Sequence, residues 1–173
     1  MTLSSGLFSA PDPVPGWFGK LPGMGDFAHR RLPEAFRERW DHWLQSGLMQ
    51  LRHQHADWTA RYLQSPLWFF VLAPQVAGPR PWLGVLMPSV DGVGRYFPFT
   101  VARELAVPLG EIPPQSWPAL ARHWQHAAQC ALQALDQDLD AAGIDGLLAG
   151  PPAEAPAASP PLPAWPEEGQ SLW

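Results

Sequence analysis

Cysteine is almost absent from this chain. Cys130 stands alone, so no disulfide can close within it. Long apolar runs are missing as well. The apolar stretches, such as LWFFVLA at 67–73, are far too short to span a bilayer. The opening MTLSSGLFSAPDPVPG has neither the basic start nor the apolar middle of a secretory leader. Together these absences predict a soluble, cytoplasmic protein.

Basic residues thin out along the chain. Residues 1–103 hold ten Lys/Arg against seven Asp/Glu, while residues 104–173 hold one, Arg122, against nine. The first part is therefore +3, the second −8 and the whole −5. Nucleic-acid binders draw much of their affinity from Lys and Arg on phosphates. An acidic second half argues against that class and leaves a solvated face or a basic partner surface.

Catalytic and metal signatures are also missing. There is no G-x-S-x-G, and Ser89 has no histidine near it in sequence; a triad, however, is defined in space. There is no C-x-x-C or H-E-x-x-H. His123, His126 and Cys130 share a helix face by spacing, but they read as structural residues, with no metal or other cofactor expected. The string MPSVDGVGRYFPFT (87–100) gathers Asp91, Gly92, Gly94 and Arg95. It runs into a strand pattern, so the helix dipole and free amides of a phosphate cradle are lacking. GKLPGMGD places its lysine ahead of its glycines, the reverse of a P-loop. The 87–100 knot reads as a rigid turn between paired strands, with Asp91 and Arg95 exposed or mutually paired at its rim.

What is abundant is proline and tryptophan. The 22 prolines exclude an all-helical bundle, because each removes a backbone donor. The 10 tryptophans carry N–H groups that need partners when buried, which suits boundaries between layers. Trp17, Trp68 and Trp82 are expected to bridge sheet and helices, and Trp165 and Trp173 to anchor a docked tail.

The pattern predicts residues 1–15 as a loose lead-in, 16–149 as one α/β domain and 150–173 as a Pro/Ala-rich tail. GWFGKL (16–21) reads as a strand and LPGMGDFAHRRLP (21–33) as a loop. From Pro33, an apolar row of Phe36, Trp40, Trp43, Leu44, Leu48 and Leu51 predicts a helix. A second helix holds Trp58, Tyr62 and Leu63 and stops before Pro66. LWFFVLA, PWLGVLM (81–87) and RYFPFTVAREL (95–105) read as strands, and Pro98 predicts an edge or a bulge in the last. Residues 116–143 read as one long helix, capped by Ser116 and ended by Gly143. Its final turns carry Asp136, Asp138 and Asp140, the wrong sign for a helix C-terminus.

Four strings carry a resemblance: GWFGKLPGMGDFAHRRLP (16–33), FRERWDHWLQSGL (36–48), YLQSPLWFFVLAPQVAGPRPWLGVLMPSVDGVGRYFPFT (62–100) and the closing SLW. They resemble the TagF family, also called ImpM, of bacterial type VI secretion accessory proteins. Two departures stand out. The family usually carries Arg where this chain has Phe69, and again where it has Gly92.

The resemblance implies a three-layer α-β-α arrangement with a mainly antiparallel central sheet and a long C-terminal helix. It implies a non-enzymatic post-translational repressor of secretion-system assembly. The implied partner is a cytoplasmic, forkhead-associated scaffold protein, with no nucleic acid or membrane involved. Some relatives are fused to a protein phosphatase, for which 173 residues leave no room. The implied partner surface joins the 21–31 loop to the 88–96 turn through Asp26, Arg30, Asp91 and Arg95. Loop locking is the structural alternative for the same residues. Two other classes stay open: a small hydrolase using Asp26, His29 and Ser89, and a nucleotide-binding switch.

Overall fold

A computed structural model describes residues 6–10, 12–152 and 171–172. The elements run β1 (Gly16–Gly19), β2 (Ala28–Arg30), α1 (Glu34–Gln54), α2 (Trp58–Leu63), β3 (Trp68–Leu72), β4 (Trp82–Met87) and β5 (Phe99–Glu104), then α3 (Trp117–Asp136), α4 (Ala141–Ala149) and β6 (Ser171–Leu172). Two 3-10 turns, Leu109–Glu111 and Pro114–Ser116, lead into α3. The six strands form one sheet in the order β2-β1-β5-β4-β3-β6, and every pairing is antiparallel.

Strand periodicity sorts the core. Successive residues of a strand face opposite sides of the sheet. Trp17, Val71, Leu83, Val85, Met87, Phe99 and Val101 meet Leu120, Trp124, Ala127 and Ala131 of α3 and Ile144 of α4. Their neighbours Phe18, Phe70, Leu72, Trp82 and Leu86 meet Phe36, Trp40 and Leu44 of α1. One set of strand residues thus packs with α3 and α4, and the alternating set packs with α1. Each buried large side chain contributes on the order of 1.5–3 kcal/mol of apolar transfer.

Tryptophan N–H groups lock the layers to one another. Trp40 donates to Thr100 Oγ1 at 2.8 Å and Trp124 to the Gly84 carbonyl at 2.6 Å. Trp68 does not join them. It is 42% exposed, and its indole N–H donates to Ser65 Oγ, three residues away. Phe69 is also exposed, although it meets Trp124 edge-on. The expected buried strand is therefore buried only from Phe70 onward.

In α1 the buried row is Phe36, Trp40 and Leu44, at i, i+4 and i+8. Trp43 lies one residue off that row, is 46% exposed and stacks on Trp40.

Several expectations change. The 21–33 segment is not all loop, because Ala28–Arg30 pairs with β1. Part of the lead-in packs down: Leu7 and Phe8 are buried, and Phe8 bridges to Leu105. Pro98 precedes β5, a central strand between β1 and β4, so neither an edge nor a bulge is needed.

The long helix is two helices. Asp138 adopts φ 49°, and the Leu139 N–H donates back to the Ala134 carbonyl at 3.0 Å while the Asp138 N–H reaches Leu135. This is a Schellman closure with Asp in the left-handed position. Asp140 then caps α4, its Oδ1 accepting from the Gly143 N–H at 2.8 Å. The third acid of the run thus faces a helix N-terminus, where negative charge is favoured. Gly143 lies in the first turn of α4 instead of ending a helix. Ser116 occupies the cap position of α3 but makes no capping bond through its side chain.

β6 pairs with Val71 and Leu72 of β3. Trp165 and Trp173 lie outside the described residues.

Candidate functional site

The 88–98 connection between β4 and β5 folds over the end of β1. Gly19, the last residue of β1, has φ 134°, and a Cβ there would lie 2.2 Å from the Pro98 carbonyl. Only glycine allows that approach. It brings Lys20, the chain's single lysine, beneath the turn.

Lys20 Nζ lies 2.9 Å from Asp91 Oδ2, and both side chains are buried. The Asp91 carboxylate has further donors. Arg95 Nε reaches Oδ2 at 2.7 Å, and the backbone N–H groups of Arg95 and Val93 reach Oδ1 at 2.9 and 3.1 Å. Burial pushes the Asp91 carboxyl upward. The Arg95 amide, the Lys20 ammonium, the Arg95 guanidinium and the Val93 amide outweigh it and hold the group well below the usual carboxylate range.

Other contacts tie the turn to the 21–27 loop. The Gly92 N–H donates to the Met24 carbonyl at 3.0 Å, and Arg95 NH2 donates to the Gly25 carbonyl at 2.6 Å. Arg95 NH2 also lies 3.7 Å from Asp26 Oδ1, an exposed pair worth little stability in water. Of the two glycines, only Gly94 has positive φ, at 83°.

Below the turn, Ser89 Oγ donates to the Lys20 carbonyl at 2.6 Å. Tyr62 of α2 completes the floor. Its hydroxyl donates to the Ser89 carbonyl at 2.9 Å and accepts from the Ser89 N–H at 2.8 Å. Burial raises the Tyr62 phenol far above its ordinary value, which keeps it protonated.

The rim above this base is mixed. Asp26 and Arg95 are exposed, and so are Phe27 at 46% and Val93 at 71%. Phe27 packs against Phe18 and Phe97, with the Lys20 ammonium 4.6 Å from its ring centre.

Asp26, Asp91 and Arg95 are thus brought together, with Asp91 inside and the other two outside. Arg30 belongs to a different cluster. Its Nε lies 3.9 Å from Asp145 Oδ2 of α4. Arg31 and the Trp17 indole hold the same carboxylate at 2.5 and 2.7 Å.

The hydrolase set is not assembled by hydrogen bonds. Ser89 is buried with its hydroxyl on Lys20, His29 is exposed on β2, and Asp26 Oδ1 accepts from the Phe27 N–H. His126 approaches Cys130 Sγ at 3.6 Å, and no metal-holding group occurs among the described residues. No helix among them is long and apolar enough to cross a membrane.

Sequence reasoning missed Lys20, Tyr62, Arg31 and Asp145. Lys20 lies inside the quoted FGKLP string, and its being the sole lysine was an available signal. Nothing in sequence pairs Arg31 with Asp145, 114 positions away.

The stretch of chain that holds this base matches a known family. The family described as the TagF N-terminal domain, type VI secretion system-associated, matches residues 16–150. This chain belongs to the TagF family. A solved structure with the same fold is PA0076 from Pseudomonas aeruginosa PAO1, 36% identical with a TM-score of 0.67. The alignment covers 84% of this chain and 64% of that one, so the chain spans under two thirds of its solved relative. No curated protein matches. The TagF match includes β1, the 21–31 loop and the 88–96 turn, and so the whole Lys20–Asp91–Arg95 base.

Proposed function

We propose that this TagF domain is a non-enzymatic, cytoplasmic regulator that represses type VI secretion after translation. It does so by binding the forkhead-associated scaffold component of the apparatus. The observation that carries this reading is the preshaped rim. One buried carboxylate, Asp91, holds the 88–96 turn to Lys20, and Arg95 continues that tie to the 21–27 loop.

A rigid surface loses little conformational freedom on association, which favours binding. Its exposed members are chemically mixed. Asp26 and Arg95 offer opposite charges for orientation, while Phe27 and Val93 offer apolar contact. Asp91 acts from inside as a positioning residue, and Arg30 flanks the rim through its own link to α4. Where relatives usually carry Arg, Phe69 and Gly92 take no charge to a partner. Partner selection then rests on the charges that remain.

The test is a pull-down of the intact chain against the separately expressed components of its own secretion locus. Asp26→Ala and Arg95→Ala are run beside wild type, with circular dichroism confirming the fold. Wild type is expected to retain the scaffold component, and each variant to retain less. Folded variants that bind like wild type would remove the rim from the interface. Failure of wild type to retain any component would remove the repressor reading.

A further inference from the structure

A cavity of about 240 Å3 lies between the sheet face, α3 and the end of α4, and it shares no residue with the rim. Its walls include Leu83, Val101, Ala127 and Leu148, with Arg103 and His123 among the polar groups. At ~30 Å3 per water, the space equals roughly eight water molecules.

Arg103 decides what such a space suits. It lies on β5, and its guanidinium stacks over the Phe8 ring at 3.7 Å. One terminal nitrogen donates to the Asp12 carbonyl at 2.9 Å. Its Nε–H is buried and has no hydrogen-bond partner among the described residues. No carboxylate among them forms an ion pair with it. The cation is half-buried, and Asp12 acts on it without forming an ion pair. Burial lowers its pKa to about 10, with Asp12 opposing, so the charge persists at neutral pH.

His123 adds no second charge there. Burial first, then Arg103, His126 and Arg122, lower its pKa to about 4. The site therefore offers one positive charge beside apolar walls. That matches a monoanion better than a phosphate dianion.

We propose that this cavity binds a small monocarboxylate with a compact apolar body, its carboxylate on Arg103 and its body between Leu83, Val101, Ala127 and Leu148. Recognition uses charge-assisted hydrogen bonds from the terminal nitrogens of the guanidinium.

Calorimetric titration of the full chain with hexanoate and benzoate, and with hexanamide and benzamide, tests this. Saturable one-to-one binding of at least one acid is expected, with its amide weaker by roughly tenfold or more. Arg103→Gln is expected to remove the difference between acid and amide. Ala127→Leu, which fills the cavity, is expected to abolish binding of both. Absence of saturable binding by either acid would overturn the proposal, as would equal affinity for acid and amide in wild type. Undiminished binding by folded Ala127→Leu would overturn the placement. The acid-against-amide comparison needs no variant, so it decides even if a substitution prevents folding.

Discussion

The Tyr62 hydroxyl serves both backbone groups of one residue, Ser89. Removing it leaves the buried Ser89 N–H without a partner, while the carbonyl keeps the Phe97 N–H at 3.2 Å. An unsatisfied buried donor costs about 1–3 kcal/mol. Tyr62→Phe is therefore expected to lower unfolding free energy by about 2 kcal/mol in urea titration. A second residue-scale effect comes from His123. Its folded pKa of about 4 lies below the ordinary 6.5. The unfolded chain takes up a proton across that window and the folded chain does not. Stability is thus full above pH 6.5 and falls as pH drops toward 4. His123→Gln should reduce the pH dependence of the urea midpoint over that range without removing it, because burial also lowers the His29 pKa. Asp91 acts at lower pH. Its carboxyl is depressed below the ordinary 3.8, so its contribution is present above 3.8 and is lost with further acidification. The His123 variant should leave that acid limb in place.

The acidic run after α3 shows how short segments reverse a charge argument. Read as the end of one helix, three aspartates oppose the dipole. In the structure Asp138 provides the left-handed closure of α3, and Asp140 caps α4. Asp140→Ala should cost about 1 kcal/mol by loss of the cap. Amide exchange should quicken first in Ala141–Ala149. Since α4 also carries Asp145, which holds Arg31, fraying is expected to reach the Arg31 contact. At the same scale, α1 was readable from its row of Phe36, Trp40 and Leu44. β2 was not, because three residues among Gly, Pro and charges have no period long enough to detect.

Across the whole molecule, the charged rim and the Arg103 cavity share no residue, and they rest on separate packing. Substitutions at distant sites without common partners add independently. Ala127→Leu should leave scaffold capture by the rim unchanged in the pull-down, and Asp26→Ala should leave hexanoate titration unchanged. A shift of either readout by the other variant would mean that the fold couples the two sites. The same sheet explains two of the tryptophans: Trp40 of α1 and Trp124 of α3 both send their N–H groups into it.

Local sequence pattern placed strands β3, β4 and β5, the row of Phe36, Trp40 and Leu44 on α1, and the family strings around Asp26, Asp91 and Arg95. These rest on local periodicity and short-range chemistry, which any window of the chain carries. Tertiary structure alone decided that Asp91 is an internal support, that Arg30 turns to Asp145, and that Lys20 lies beneath the turn. Those outcomes depend on packing between distant segments that brings together residues 71 and 114 positions apart, as for Lys20 with Asp91 and Arg31 with Asp145. Burial and charge pairing across such distances arise only when the sheet and its helices assemble, so no local pattern encodes them.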